Sequence, residues 1–249
     1  VAAVSGYGYA GALNILGGCI VPSGDGAIGL VAAAGFESLY DGDEGGYSNE
    51  SGGHAFAING LPPIVAEYGL SEFYFGFYGN FGDVGEAIAG IHDLDAMEPA
   101  DFRSAIVTTG DYAHGVAAMS AHGHAIAGNI YGTITTGTVD EEGNPVSGSY
   151  AFGVAAWSGE GHDATAMNKY QGHITTFGHH ATAVIAHGDD DATALNWMRS
   201  TIVTHGDHAA GIHANAGSGE AVAFKKYESS IGTHCGHATG GGAGGAPAQ

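Results

Sequence analysis

Fifteen histidines stand in this chain of 249 residues, and several recur at one spacing. His180, His208 and His237 follow one another at intervals of 28 and 29 residues, with His179, His205 and His234 close by. Imidazoles repeated on neighbouring structural units could share Zn²⁺, Ni²⁺ or Cu²⁺, although a tetrahedral site also needs a third or fourth ligand. Without metal they form an exposed stack, and protonation near pH 6 would add like charges to one column while lowering the net negative charge. A second candidate is the loop carrying Asp41, Asp43 and Glu44, where carboxylates alternate with glycines as in calcium loops. It lacks the twelve-residue EF-hand pattern and the calcium-binding nonapeptide, so a solvated acidic loop is the competing reading, as it is for Asp189, Asp190 and Asp191. No motif requires a cofactor; Ca²⁺ or a histidine-bound transition metal are the two that the residue types could accept.

Catalytic patterns are sparse. Asp25, Asp111 and Asp207 each follow a glycine and recur at the repeat spacing, which points to architecture rather than a paired-carboxylate hydrolase. Only Arg103, Lys169, Arg199, Lys225 and Lys226 are basic, too few to grip an anionic sugar, and no G-x-S-x-G nucleophile elbow is present. A polysaccharide-degrading enzyme is therefore less favoured than a structural or adhesive role, and the chain reads as non-enzymatic. An ice-binding face also fails: the positions after the threonine column are Thr109, Gly137, Phe177, His205 and His234, not a second threonine row.

These residues are positioned by a repeat. Residues 12–35, ALNILGGCIVPSGDGAIGLVAAAG, align without a gap to residues 194–217, ALNWMRSTIVTHGDHAAGIHANAG. Ile20, Ile106, Ile134, Ile174, Ile202 and Ile231 mark one strand start, with steps of 28 from Ile106 to Ile134 and from Ile174 to Ile202, and 29 to Ile231. Each unit holds three short runs, I-x-T, A-x-G-[VI]-x-A and A-x-A-x-N, parted by glycines and small polar residues. Three strands per unit and no long 3.6-residue periodicity predict an all-β parallel β-helix (β-solenoid) of about seven coils. Excess length predicts surface loops at 36–53, 92–101 and 138–149. Residues 1–240 then form one elongated domain and 241–249 a glycine-rich tail.

In such a fold each alignment column becomes a ladder with rungs about 4.8 Å apart. Asn14, Asn59, Asn129, Asn168 and Asn196 form a structural amide ladder that Lys225 interrupts. Thr108, Thr136, Thr176, Thr204 and Thr233 face the interior, and Leu16, Phe102, Tyr170, Met198 and Tyr227 read as core. Leu13, Ile58, Met167, Leu195 and Phe224 have the opposite parity to the asparagines. They form either an outward apolar stripe suited to a lateral interface or, if the corner bends, a second inward row.

Five Lys and Arg against 26 Asp and Glu give a net charge of −21, which disfavours nucleic acid and anionic membranes. No apolar run reaches the eighteen residues of a membrane span, and the start at Val1 without a basic leader fits a processed, secreted segment, extracellular or on a cell surface. Cys19 and Cys235 belong to the first and last coils, too far apart for an internal disulfide. They could meet only between stacked subunits, where they occupy different columns.

HITTFGHHATAVIAHG (173–188) and TIVTHGDHAAGIHANAG (201–217) resemble passenger domains of bacterial autotransporters and related surface β-helix proteins, in which G-x-I-T-T-x-G-D-x-A-x-G-I-x-A recurs beside an Asn-bearing strand. The likeness is good over 104–240 and 10–35 and poor over 60–100. It implies a right-handed parallel β-helix, export to the cell surface, and adhesive or structural work. Two features depart from it: no membrane-barrel segment follows residue 249, and histidine is unusually common. Neither end carries an obvious cap, and open strand edges pair with more of the same. The expectation is an extracellular structural protein that joins copies of itself head to tail into a filament or surface layer. The alternative is a monomeric adhesin that binds a cell surface or glycan.

Overall fold

The structure is a computed structural model that describes residues 1–5, 10–14, 17–35, 53–60, 103–234 and 239–244. Asp41, Asp43, Glu44, Leu16, Phe102, Cys235 and His237, together with the loop at 92–101 and all of the loop at 36–53 except Gly53, lie outside the described residues. Among those described, every regular element is a β-strand. The strands form three long parallel sheets, so the chain is a parallel β-solenoid.

Each sheet collects one kind of run. The A-x-A-x-N strands, Ala10–Asn14, Ala55–Asn59, Ala125–Ile130, Ala164–Lys169, Ala192–Trp197 and Ala221–Lys226, make a six-stranded asparagine face. The I-x-T strands, Cys19–Ile20, Ala105–Thr108, Thr133–Thr136, His173–Thr176, Thr201–His205 and Ser230–His234, make a six-stranded threonine face. The third, valine face has seven strands: Ala2–Ser5, Ile28–Ala34, His114–Ser120, Phe152–Ser158, Thr182–Gly188, Ala210–Ala216 and Thr239–Gly244. Six complete coils are thus preceded by one extra strand on the valine face. The registers join like to like, pairing Asn168 with Asn129 and Asn196, and Ile174 with Ile134 and Ile202.

Alternation along the strands explains the core. Alanines of the asparagine face, Ile106, Ile134, Ile174 and Ile202 of the threonine face, and Leu30, Val116, Val154, Val184 and Ile212 of the valine face converge in one buried cluster. Small alanines on one wall leave room for branched side chains on the other two, so three short strands close round a filled interior. Ile58, Met167 and Leu195 point to the other side of the asparagine face, as strand parity requires. They are nevertheless buried, in a second cluster with Ile126, Ile130 and the half-buried Leu13, Phe56, Tyr170, Trp197 and Phe224.

The corners correct one expectation. Met198 and Tyr227 are not core: they are exposed on a left-handed backbone, at φ 59° and 55°, whereas Tyr170, at φ 52°, is half-buried against the second cluster. A left-handed residue turns the chain sharply and throws its Cβ outward, so a large side chain there stacks on the rim instead of filling the interior. Nor is the glycine-rich segment wholly a tail, because Thr239–Gly244 pairs with Ala210–Ala216. Ladder hydrogen bonds need only the backbone, so the absence of side chains does not prevent pairing. The loop at 138–149 is a small antiparallel hairpin, Thr138–Val139 with Pro145–Ser147. Asp140 closes its turn by accepting from the Asn144 backbone and amide, and these bonds hold its carboxyl below the usual range.

Candidate functional site

The asparagine column sits where the asparagine face turns toward the threonine face. Asn14 Nδ2 donates to Asn59 Oδ1 at 2.8 Å, and the same bond recurs at 2.9 Å from Asn59 to Asn129, Asn129 to Asn168 and Asn168 to Asn196. Each amide also donates to corner carbonyls, Asn168 to those of Gly172 and Thr201. Corner backbone groups that the sheets leave behind are satisfied in this way. The ladder has a direction, with every Nδ2 pointing toward the C-terminal end. Beside it, the threonine column is equally buried but unlike it in bonding: Thr108 Oγ1 donates to the Ala113 carbonyl, whereas Thr136, Thr176 and Thr204 have buried hydroxyls without a hydrogen-bond partner.

Histidine's abundance has a local cause. Just before the asparagine-face strands runs the column His54, His124, Asp163, Asp191, Glu220. The backbone N–H of His124 donates to His54 Nδ1 at 3.0 Å and that of Asp163 to His124 Nδ1 at 3.2 Å. In the next coils the N–H groups of Asp191 and Glu220 donate to Asp163 Oδ1 and Asp191 Oδ1. Imidazole therefore does an aspartate's work as a coil-to-coil acceptor. The G-D turns behave alike: Asp25 accepts from the Asp111 N–H, Asp111 from those of Gly148 and Ser149, and His179 Nδ1 from that of Asp207. His114 Nδ1 accepts from Phe152 at 3.1 Å.

An acceptor nitrogen is an unprotonated one, so His54 and His114 fill this role as neutral rings with the proton on Nε2. The surroundings favour that state. Burial lowers His54, with His124 and His162 adding repulsion, and burial lowers His162 and His205. Burial alone takes His114 down to about 4. At the rim His122 meets Glu160 at 2.6 Å and His124 lies 3.4 Å from Asp163.

At the corner between the threonine and valine faces, Tyr112, Tyr150, His180 and His208 each adopt φ between 56° and 59° and stack ring on ring, with centroids 5.2, 4.9 and 5.0 Å apart. A parallel row, Phe177, His205 and His234, stacks at 4.9 Å. The structure thus places His180 and His208 face to face, where parallel rings present their nitrogens side by side. Among the described residues no three His, Cys, Asp or Glu side chains are grouped so as to hold a metal ion. Cys19 is exposed and its thiol is free. Sequence reading missed that the tyrosines continue the histidine stack, and it missed the His54–His124 acceptor pair. The available signal was an acceptor side chain, His or Asp or Glu, immediately before five of the A-x-A runs, at His54, His124, Asp163, Asp191 and Glu220. No helix among the described residues is long and apolar enough to cross a membrane. Comparison with protein families, with curated proteins and with solved structures finds no match to this chain.

Proposed function

We propose that this is an extracellular structural protein whose copies join end to end into a filament or surface layer. One observation carries the reading: the described ladders run in register through six coils, so that strands of the same three faces border both ends of the described stack. Ala2–Ser5, Ala10–Asn14 and Cys19–Ile20 border one end, and Thr239–Gly244, Ala221–Lys226 and Ser230–His234 the other. A strand edge presents unpaired N–H and C=O groups, and two complementary edges on one molecule make a contact that does not close. The net charge of −21 opposes lateral clumping, which leaves the ends as the favoured place to associate. Negative-stain electron microscopy at pH 7, with and without chelator, tests this. Long uniform fibres are expected; single short rods in both conditions would overturn it. Fibres that dissolve in chelator would assign a metal to the acidic loop or the histidines.

A second reading is favoured by the exposed stack of Tyr112 and Tyr150, since a flat aromatic surface can accept the apolar face of a sugar ring. In that case the chain acts as a monomeric adhesin, in the manner implied by its resemblance to autotransporter passengers. Glycan binding by single rods, lost on Tyr150→Ala, would support it.

A further inference from the structure

The end-to-end reading meets a geometric difficulty whose solution names the mechanism. Among the described residues the valine face has seven rungs and the other faces six. If the first complete coil of one copy follows the last coil of another without a gap, the incoming Ala2–Ser5 arrives at the level already held by Thr239–Gly244. If it stacks beyond Thr239–Gly244 instead, a whole rung is missing from the asparagine and threonine faces.

We infer that the copies join by strand exchange: Ala2–Ser5 of the incoming copy displaces Thr239–Gly244 and pairs with Ala210–Ala216. The inference rests on the end-to-end reading above. Its first support is the interior of the valine face. Leu30, Val116, Val154, Val184 and Ile212 form one aliphatic column, and the next position in it is Gly241. The resident strand therefore puts nothing over Ile212 where every other rung has a branched side chain. Register with Ile28–Ala34 sets Val1, one residue ahead of Ala2, opposite Leu30 in that same column. Exchange seats Val1 over Ile212, Ala3 over Ala214 and Ser5 over Ala216. Val1 and Val4, exposed at 65% and 74%, gain neighbours, and a strand with four glycines, whose ordering is the most costly in entropy, is released.

The other two faces agree at the same shift of six rungs. Ile231 comes beneath Ile20, continuing the isoleucine ladder. Ala221, Ala223 and Phe224 come beneath Ala10, Ala12 and Leu13 of the next copy. Most tellingly, Lys225 stands in the asparagine column next to Asn196. Every amide in that column donates toward the C-terminal end, so the first acceptor, Asn14 Oδ1, receives no donor among the described residues. Lys225, which has only donors to offer, is the residue that exchange brings to it. The lysine that interrupts the ladder within one chain completes it between two.

The test uses chains with Cys19→Ser and Cys235→Ser. Val4→Cys in one preparation is mixed with Asn215→Cys or with Gly244→Cys in another and oxidised. Exchange predicts a disulfide-linked pair with Asn215→Cys and none with Gly244→Cys, and an axial repeat of six rungs, about 29 Å. Removal of residues 239–249 should leave fibre growth intact and speed it several-fold, because no strand has to be displaced. Fibres that cross-link through Gly244→Cys and repeat at seven rungs, about 34 Å, would overturn exchange while leaving end-to-end assembly in place. Absence of fibres from both the full and the shortened chain would overturn the end-to-end reading itself.

Discussion

The asparagine and threonine columns run side by side through the same interior and differ in one respect. An asparagine amide carries both a donor and an acceptor on a stem long enough to cross one rung, so each residue bonds to the next at 2.8–2.9 Å. A threonine hydroxyl on its short branch does not span that spacing, and three of them stay unpartnered. Burial alone therefore does not make a polar ladder stabilising; reach and the pairing of donor with acceptor decide it. The asparagines specify the corner and the direction of the stack, whereas the threonines are tolerated within it.

The sharpest way to break this contrast is Asn168→Leu. It removes four hydrogen bonds, the one accepted from Asn129 and those donated to Asn196 and to the carbonyls of Gly172 and Thr201, and takes from the Asn196 oxygen its amide donor, and should cost about 4 kcal/mol in chemical denaturation at about 1 kcal/mol per bond. If the loss is under about 1 kcal/mol, the ladder is ornamental.

Next in size is an acid effect, because the imidazole acceptors resemble the asparagines only while they are neutral. His114 is held at about 4 in the fold, below the ordinary 6.5, so the unfolded chain binds its proton first. Its contribution is whole above pH 6.5 and drains away as pH falls toward 4, a loss of up to about 3 kcal/mol. Hydrogen exchange between pH 7 and 5 should show the coils around His54 and His114 opening before those held by Asp163 and Asp191. Uniform loss of protection across all coils would contradict the acceptor assignment.

Smaller still is Gly172→Ala. Its Cβ would run into Asn168 Oδ1 and the Lys169 carbonyl, and a cost of about 2 kcal/mol is expected, read as a lower unfolding midpoint. At the far end of the scale, Thr176→Val removes an unpartnered hydroxyl at constant shape. It should raise stability by about 1 kcal/mol, with Thr136→Val and Thr204→Val acting alike. A destabilising result there would mean that the hydroxyls are bonded in solution.

Much of this architecture is written in the chain because a solenoid converts sequence period directly into spatial neighbours. Ile174 and Ile202, or Asn168 and Asn196, stand 28 residues apart and lie on adjacent rungs. Coil two kept its columns in the sequence, through Asn59, Ile106 and Thr108, but not its spacing, because residues 61–102 separate Asn59 from Ala105. Left-handed corners were illegible at Tyr170, Met198 and Tyr227 because residue type gives no warning when a residue other than glycine takes positive φ.

By itself, then, the sequence determined the fold class, the three faces and the inward columns, since periodicity and strand parity are properties of one dimension. Only the tertiary structure decided what the polar side chains do. An imidazole becomes an acceptor when a neighbouring coil aims an N–H at it, and a ladder acquires direction when its first amide is set. Seven rungs against six among the described residues, the mismatch on which the strand exchange depends, appears only after the coils are stacked.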